Sequence, residues 1–170
     1  DVPIVVANDG DVSALAGSMS LGTGCVMGLA MGTSEAVGYV NAGSSLLGWF
    51  SELAFAPVDL NERAMRDEWS GDRGVGCKYF SQDAVAKLAP AAGIALSERL
   101  TPAEKLKEVQ KLAEQGLPYA QEIFRSIGVY LGHTLCLYER LYDIRSLIVL
   151  GRVASGVGGE LIVAECRRGL

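Results

Sequence analysis

Histidine is nearly missing from this chain of 170 residues: His133 is its one example. Cysteine is sparse too, with Cys25, Cys77, Cys136 and Cys166 far apart and no Cys-x-x-Cys pair. Both shortages argue against a dedicated zinc site, so no metal ligands are assigned. The cysteines read instead as reduced thiols of a cytoplasmic protein. Basic charge is in deficit, with 15 Lys and Arg against 20 Asp and Glu and a net charge of −5. Without a basic stripe to neutralise phosphates, nucleic acid is excluded as a partner of this segment. No apolar run approaches the roughly 20 residues of a membrane helix, so no membrane is expected. The opening Asp1-Val2-Pro3 is no basic leader for an apolar signal segment. Repeats and low-complexity stretches are missing as well.

Apolar side chains, by contrast, are plentiful at 49%. That fills the core of one domain over 1–170 and leaves apolar surface for another lobe or subunit. Early apolar runs read as strands at Pro3–Ala7, Val26–Met31 and Ala36–Asn41. Val12–Ala16 reads as the start of a helix, and 17–24 as a Gly/Ser/Thr-rich turn. Residues 63–76, around Trp69, read as a mobile surface loop. Later, Thr101-Pro102-Ala103-Glu104 has the form of a capping box, opening a helix whose stripe is Leu106, Val109, Leu112 and Ala113 and which stops at Gly116. A long helix is expected over Tyr119–Tyr142, with Ile123, Ile127, Tyr130, Thr134, Leu137 and Leu141 on its apolar side. A strand over Ser146–Leu150, a glycine turn and a helix from Glu160 complete the chain. Strands first, helices later and a closing strand-turn-helix predict an α/β domain with a mixed sheet flanked by helices.

Several short motifs admit both a chemical and an architectural reading. Asp9 ends an apolar run and is placed to take a proton from an attacking hydroxyl; equally, it is a loop carboxylate beside a helix that Asp11 would cap. Gly32-Thr33-Ser34 offers N–H groups and hydroxyls to a phosphate, or is an ordinary hairpin turn, and Gly22-Thr23-Gly24 matches the same pattern ten positions earlier. Glu52 is a lone acid between Trp49-Phe50 and Leu53-Ala54-Phe55, as a sugar-hydroxyl acceptor or a surface acid would be. Gly151-Arg152-Val153 leaves a buried strand, where a nucleotide or a tight turn fits. His133 has no acid or nucleophile near it in sequence and reads as structural or surface.

Taken in order, these segments resemble the ROK family of sugar kinases and sugar-responsive repressors, members of the actin-like ATPase superfamily with a ribonuclease H-like fold. Asn8-Asp9-Gly10-Asp11-Val12-Ser13-Ala14-Leu15 resembles the family's Asn-Asp-Ala-Asn-Ala-Ala-Ala-Leu, which would make Asp9 the general base and Asn8 a sugar ligand. Gly32-Thr33-Ser34, 23 positions after Asp9, resembles the second phosphate motif. Gly22-Thr23-Gly24, only 13 after it, is taken as a hairpin turn. Ser51-Glu52-Leu53-Ala54-Phe55 resembles Gly-Glu-Ile-Gly-His, giving Glu52 as a sugar ligand and Phe55 in place of His. Gly76-Cys77 resembles part of the zinc-binding cysteine motif, but Ser70 and Asp72 replace cysteines and Tyr79 replaces a sugar-binding Glu; no structural zinc is expected. Leu147 to Gly151 resembles the adenosine motif, with Gly151 at the nucleotide and Arg152 interrupting its glycines.

The family's first phosphate motif, Asp-x-Gly-Gly-Thr, is not in this sequence. The resemblance therefore implies the C-terminal lobe of a two-lobed protein, with the N-terminal lobe absent. It implies ATP-dependent phosphorylation of a sugar, with ATP and Mg²⁺ as cofactors, within a longer protein; this segment alone is expected to be inactive. A homodimer is a family expectation. The alternative is the non-catalytic sugar-sensing domain of a ROK-type regulator. A third reading is a lobe kept as a structural module.

Overall fold

The computed structural model describes residues 2, 4, 7–47 and 52–170. The strand expected over Pro3–Ala7 rests on Pro3, Val5 and Val6, which lie outside the described residues. Three strands make one mixed sheet in the order β2-β1-β3. β1 (Val26–Met31) and β2 (Glu35–Val40) are antiparallel, from Val26↔Val40 to Met31↔Glu35. β3 (Ser146–Leu150) lies parallel to β1, from Val26↔Ser146 to Ala30↔Leu150. β1 and β3 have the bounds their apolar runs predict, and β2 begins one residue earlier than expected.

Strand alternation sorts the side chains onto two faces. Gly28, Gly38 and Ile148 face α1 (Asp9–Leu21). Leu29, Val37 and Tyr39 turn the other way, into a core shared with Phe80, Ile127, Leu131 and Tyr138. That face is covered by α2 (Gln82–Ala91), α3 (Pro102–Glu114), α4 (Pro118–Tyr138) and α5 (Gly156–Gly169). Helices on both faces of a mixed sheet are the α/β layering anticipated. None of the helices among the described residues is long and apolar enough to cross a membrane.

α1 crosses the sheet rather than running along one strand. Gly10 rests on the backbone of Val37 and Gly38, Ala14 on Gly28, and Gly17 on the side chains of Ile148 and Val26. A side chain at Gly10 or Gly38 would drive into the other's neighbouring backbone, so hydrogen is the only substituent that allows this approach. This packing corrects the turn expected over 17–24: α1 runs to Leu21 because Gly17 is a contact point, and Gly22 (φ 64°) ends the helix with its N–H on the Ser18 carbonyl. Asn8, and not Asp11, is the N-cap, its Oδ1 accepting from Gly10 N at 2.8 Å.

The capping box of α3 forms, with Thr101 N donating to Glu104 Oε2 at 2.8 Å and Gly116 following at φ 81°. α4 stops at Tyr138, a turn short of expectation, and Tyr142 instead meets Tyr39 edge-on at 5.0 Å between ring centres. Of its expected stripe, Ile123, Ile127 and Thr134 are buried, but Leu137 and Leu141 are exposed. α5 begins at Gly156, before Glu160, because Gly158 and Gly159 lie against Phe124 and the Ala154 carbonyl inside the helix. α2, capped by Ser81, had no signal in the sequence reading.

Candidate functional site

β1 and β3 are parallel, so their carboxyl ends open on the same edge of the sheet, where α/β folds place ligands. The Gly32–Ser34 turn leaves β1 there and Gly151–Val153 leaves β3. Gly151 has φ 95° and lies against the Met31 backbone, where a Cβ has no room. Val153 N donates to the Met31 carbonyl at 3.2 Å, stitching the two exits together. Gly32 N donates to the Ser34 carbonyl at 2.9 Å, and Gln82 N to the Gly32 carbonyl at 3.0 Å. Thr33 and Ser34 are exposed. Among the described residues, neither their N–H groups nor their hydroxyls donate a hydrogen bond. A narrow turn with free donors fits a phosphate. Gly22-Thr23-Gly24 lies at the other end of β1, in the turn from α1, with Ser18 Oγ on the Thr23 carbonyl at 2.6 Å.

Asn8 and Asp9 stand at the N-terminus of α1, where Gly10 lands on β2. Three strand residues, roughly 10 Å at about 3.3 Å each, separate Val37 from Ser34. Both side chains are exposed and both approach one donor: Asp9 Oδ1 accepts from Gly10 N at 3.1 Å, beside Asn8 Oδ1. The Asn8 oxygen is thus engaged, and its amide N–H groups donate no hydrogen bond among the described residues. Asp9 keeps a second carboxylate oxygen without a hydrogen bond among the described residues. Asp11 is the third residue of the helix, and burial raises its pKa.

Glu52 is exposed and precedes a 3-10 turn, Leu53–Phe55, which the Phe55 N–H closes on the Glu52 carbonyl at 3.3 Å. Trp49 and Phe50, the other half of its apolar setting, lie outside the described residues. The turn sits against β2: the Glu35 carboxylate and the Leu53 carbonyl both crowd Gly76, and Tyr138 Oη donates to that carbonyl at 3.3 Å. Gly32–Ser34 and Gly151 therefore share the sheet edge, Asn8 and Asp9 stand beside β2 where α1 begins, and the turn after Glu52 meets the first residue of β2. No hydrogen bond links these groups directly among the described residues.

Residues 59–78 are held by a polar network rather than left loose. Asp67 accepts from Ser70 N at 2.7 Å, and that bond, with Lys78 nearby at 3.6 Å, keeps its carboxyl below the usual range. Lys78 is 8% exposed and its ammonium bonds both Asp83, at 2.6 Å, and Glu68. Burial alone would lower the Lys78 pKa, but these partners outweigh it and raise it. Tyr79, which stands in place of a sugar-binding Glu in the resemblance, is buried and donates to Asp59 Oδ2 at 2.7 Å, so its role is structural. Burial pushes the nearby Cys77 thiol up to about 11. Among the described residues, no three His, Cys, Asp or Glu side chains form a metal-binding group.

Two groups escaped the sequence reading. Lys78 is followed by too few acids in sequence to reveal its partners, which come from both sides of it. Glu35 is 5% exposed, with neither oxygen hydrogen-bonded among the described residues. Its signal was available: an acid on the inward phase of Glu35-x-Val37-x-Tyr39. His133 is exposed on α4.

No family model matches the sequence, and no curated protein matches it. Solved structures do. A ROK hexokinase from Thermus thermophilus superposes with a TM-score of 0.74 at 20% identity, over 99% of this chain and 56% of that one. A ROK family glucokinase from Streptomyces griseus, in complex with glucose and AMPPNP, gives 0.74 at 23% identity over 99% and 57%. A ROK family transcriptional regulator, a homolog of the E. coli MLC protein, gives 0.75 at 18% over 99% and 43%. The chain spans about half the length of these proteins. Its fold is that of part of the ROK kinases and regulators.

Proposed function

We propose that this chain is the sugar- and phosphate-binding part of a ROK-type, ATP-dependent sugar kinase, with Asp9 as the general base. The observation that carries the reading is that the β1 and β3 exits, Gly32-Thr33-Ser34 and Gly151, meet at one sheet edge, with the start of α1, which bears Asn8 and Asp9, packed on β2 beside them. The matching fold of a glucokinase complexed with glucose and AMPPNP supports it. Asp9 takes the proton of the attacking sugar hydroxyl through its free carboxylate oxygen. Asn8 donates from its amide and Glu52 accepts from sugar hydroxyls. Thr33 and Ser34 donate to phosphate oxygens, while Gly151 lets a nucleotide lie against the strand end. ATP, accompanied by Mg²⁺, would supply the phosphoryl group. The cytoplasm, which supplies ATP and keeps thiols reduced, is the compartment this reading requires.

The test is Asp9→Asn in the full-length protein, scored by sugar-dependent ADP release and by sugar binding. Loss of a positioned base is expected to lower turnover by roughly 10²–10⁴-fold while sugar still binds. Unchanged turnover overturns the assignment. The second reading, a sugar-sensing domain of a ROK-type regulator, is favoured by Arg152, which follows Gly151 at the nucleotide edge, and by the regulator fold match. It predicts sugar binding with no nucleotide binding in the same assay.

A further inference from the structure

The exposed aromatic side chains beside Glu52 have no part in the kinase reading above. Trp69 is 84% exposed, yet its ring lies 5.5 Å from that of Phe55, tilted by 38°. A large apolar ring left in water is informative when it is held there. The tip that carries Trp69 is closed on itself. Asp67 N donates to the Asp72 carbonyl at 2.8 Å, Gly71 N to the Asp67 carbonyl at 2.9 Å, and Arg66 Nε to the Gly71 carbonyl at 2.7 Å. Asp67 is itself anchored by Lys78, which also pairs with Asp83 in the first turn of α2. The loop therefore presents Trp69 instead of folding it inward.

Phe55 brings that ring to Glu52. Glu52 is the residue before the 3-10 turn, three positions from Phe55, and its carbonyl accepts the Phe55 N–H that closes the turn. An exposed carboxylate thus lies three residues from an exposed ring that has a second ring tilted against it. This combination suits a molecule that has hydroxyls at its rim and a flat patch of C–H groups. A pyranose has both. Its C–H face packs on aromatic faces, while a carboxylate accepts from adjacent hydroxyls.

We propose that Phe55 and Trp69 form a stacking platform for the C–H face of a pyranose whose hydroxyls are held by Glu52. This rests on the sugar-site reading and adds a specificity element to it. The platform selects sugars whose ring presents an uninterrupted C–H face.

The test is saturation-transfer NMR and calorimetric titration of the chain with D-glucose, D-mannose and D-galactose. Wild type, Trp69→Ala, Trp69→Phe and Glu52→Gln are compared. The expected result is weakening by roughly 5–10-fold in Trp69→Ala, the affinity equivalent of about 1 kcal/mol of aromatic contact, and near-complete rescue in Trp69→Phe. Saturation transfer is expected to be strongest to the C–H protons of one ring face and to fall selectively in Trp69→Ala. Trp69 is exposed, so its truncation empties no core space, and an unchanged thermal unfolding midpoint verifies that the variant folds. If Trp69→Ala binds as wild type does while Glu52→Gln loses the sugar, the platform is wrong and the sugar site stands. If wild type binds none of the three, the platform and the sugar reading fall together.

Discussion

At the first position of β2, the Glu35 carboxyl faces the Leu53 carbonyl, Gly76, the Cys77 thiol and the Tyr138 hydroxyl. None of these hydrogen-bonds it, and burial holds its pKa well above the ordinary 4.5. The folded chain thus keeps a proton that the unfolded chain releases. Folded-state stability is unaffected below the unfolded pKa. It falls as pH rises from there towards the folded pKa, by up to about 1.4 kcal/mol per pH unit from this one group. Glu35→Gln is expected to remove that slope, as read from urea unfolding at roughly pH 5 to 8; an identical slope in the variant would refute the assignment. Sequence reasoning passed over Glu35 because spacing shows which face a residue occupies but not what it meets there. Asn8 and Asp9 were easier to find, because a residue at the start of a helix and beside a glycine keeps its surroundings within a few positions. Even so, the cap was given to Asp11, since the landing of Gly10 on β2 that sets the helix start is a contact with a strand some 27 residues later.

Elements with their own periodicity were legible, and those shaped by contact were not. β1 and β3 are short apolar runs bounded by polar or glycine residues, and α3 carries its own capping box. α1 and α5 were misplaced because glycine was read as a breaker. In both it serves close packing, of Gly17 on Ile148 and of Gly158 on Phe124. The clearest consequence concerns α1. At Gly38 the atoms that would obstruct a methyl group are the backbone of Gly10 and Asp11, which cannot rotate aside. Gly38→Ala should lift α1 from the sheet and cost about 1–3 kcal/mol or more. Because the N-terminus of α1 carries Asn8 and Asp9, it should also weaken sugar binding, although residue 38 touches neither. Thermal unfolding and sugar titration of this variant measure the two effects. Wild-type stability would show that α1 is not seated as closely as described.

Across the whole molecule, the sheet edge that carries Thr33, Ser34 and Gly151 is open, and Asn8 and Asp9 at the start of α1 are exposed as well. Phosphoryl transfer to a sugar hydroxyl needs water kept from the reacting atoms and the attacking oxygen held in line, and an open edge does neither. This chain covers 56% of the matched hexokinase and 57% of the matched glucokinase, which have further polypeptide beyond that part. The Asp-x-Gly-Gly-Thr phosphate motif expected from the resemblance is not among these residues. Binding and turnover should therefore separate. A polypeptide of residues 1–170 is expected to bind a hexose through Asn8, Glu52 and the aromatic pair, but to release no ADP above background when ATP, Mg²⁺ and sugar are supplied. A longer polypeptide that contains the motif is expected to restore turnover, and Asp9→Asn to abolish it again. ADP release from residues 1–170 alone would mean that closure by a second lobe is not required, and that the general-base assignment must stand on this open edge by itself. Sugar binding without turnover in the longer polypeptide, with no nucleotide bound, would assign the same edge to sensing rather than catalysis, and Arg152 would then be the first residue to replace with glycine.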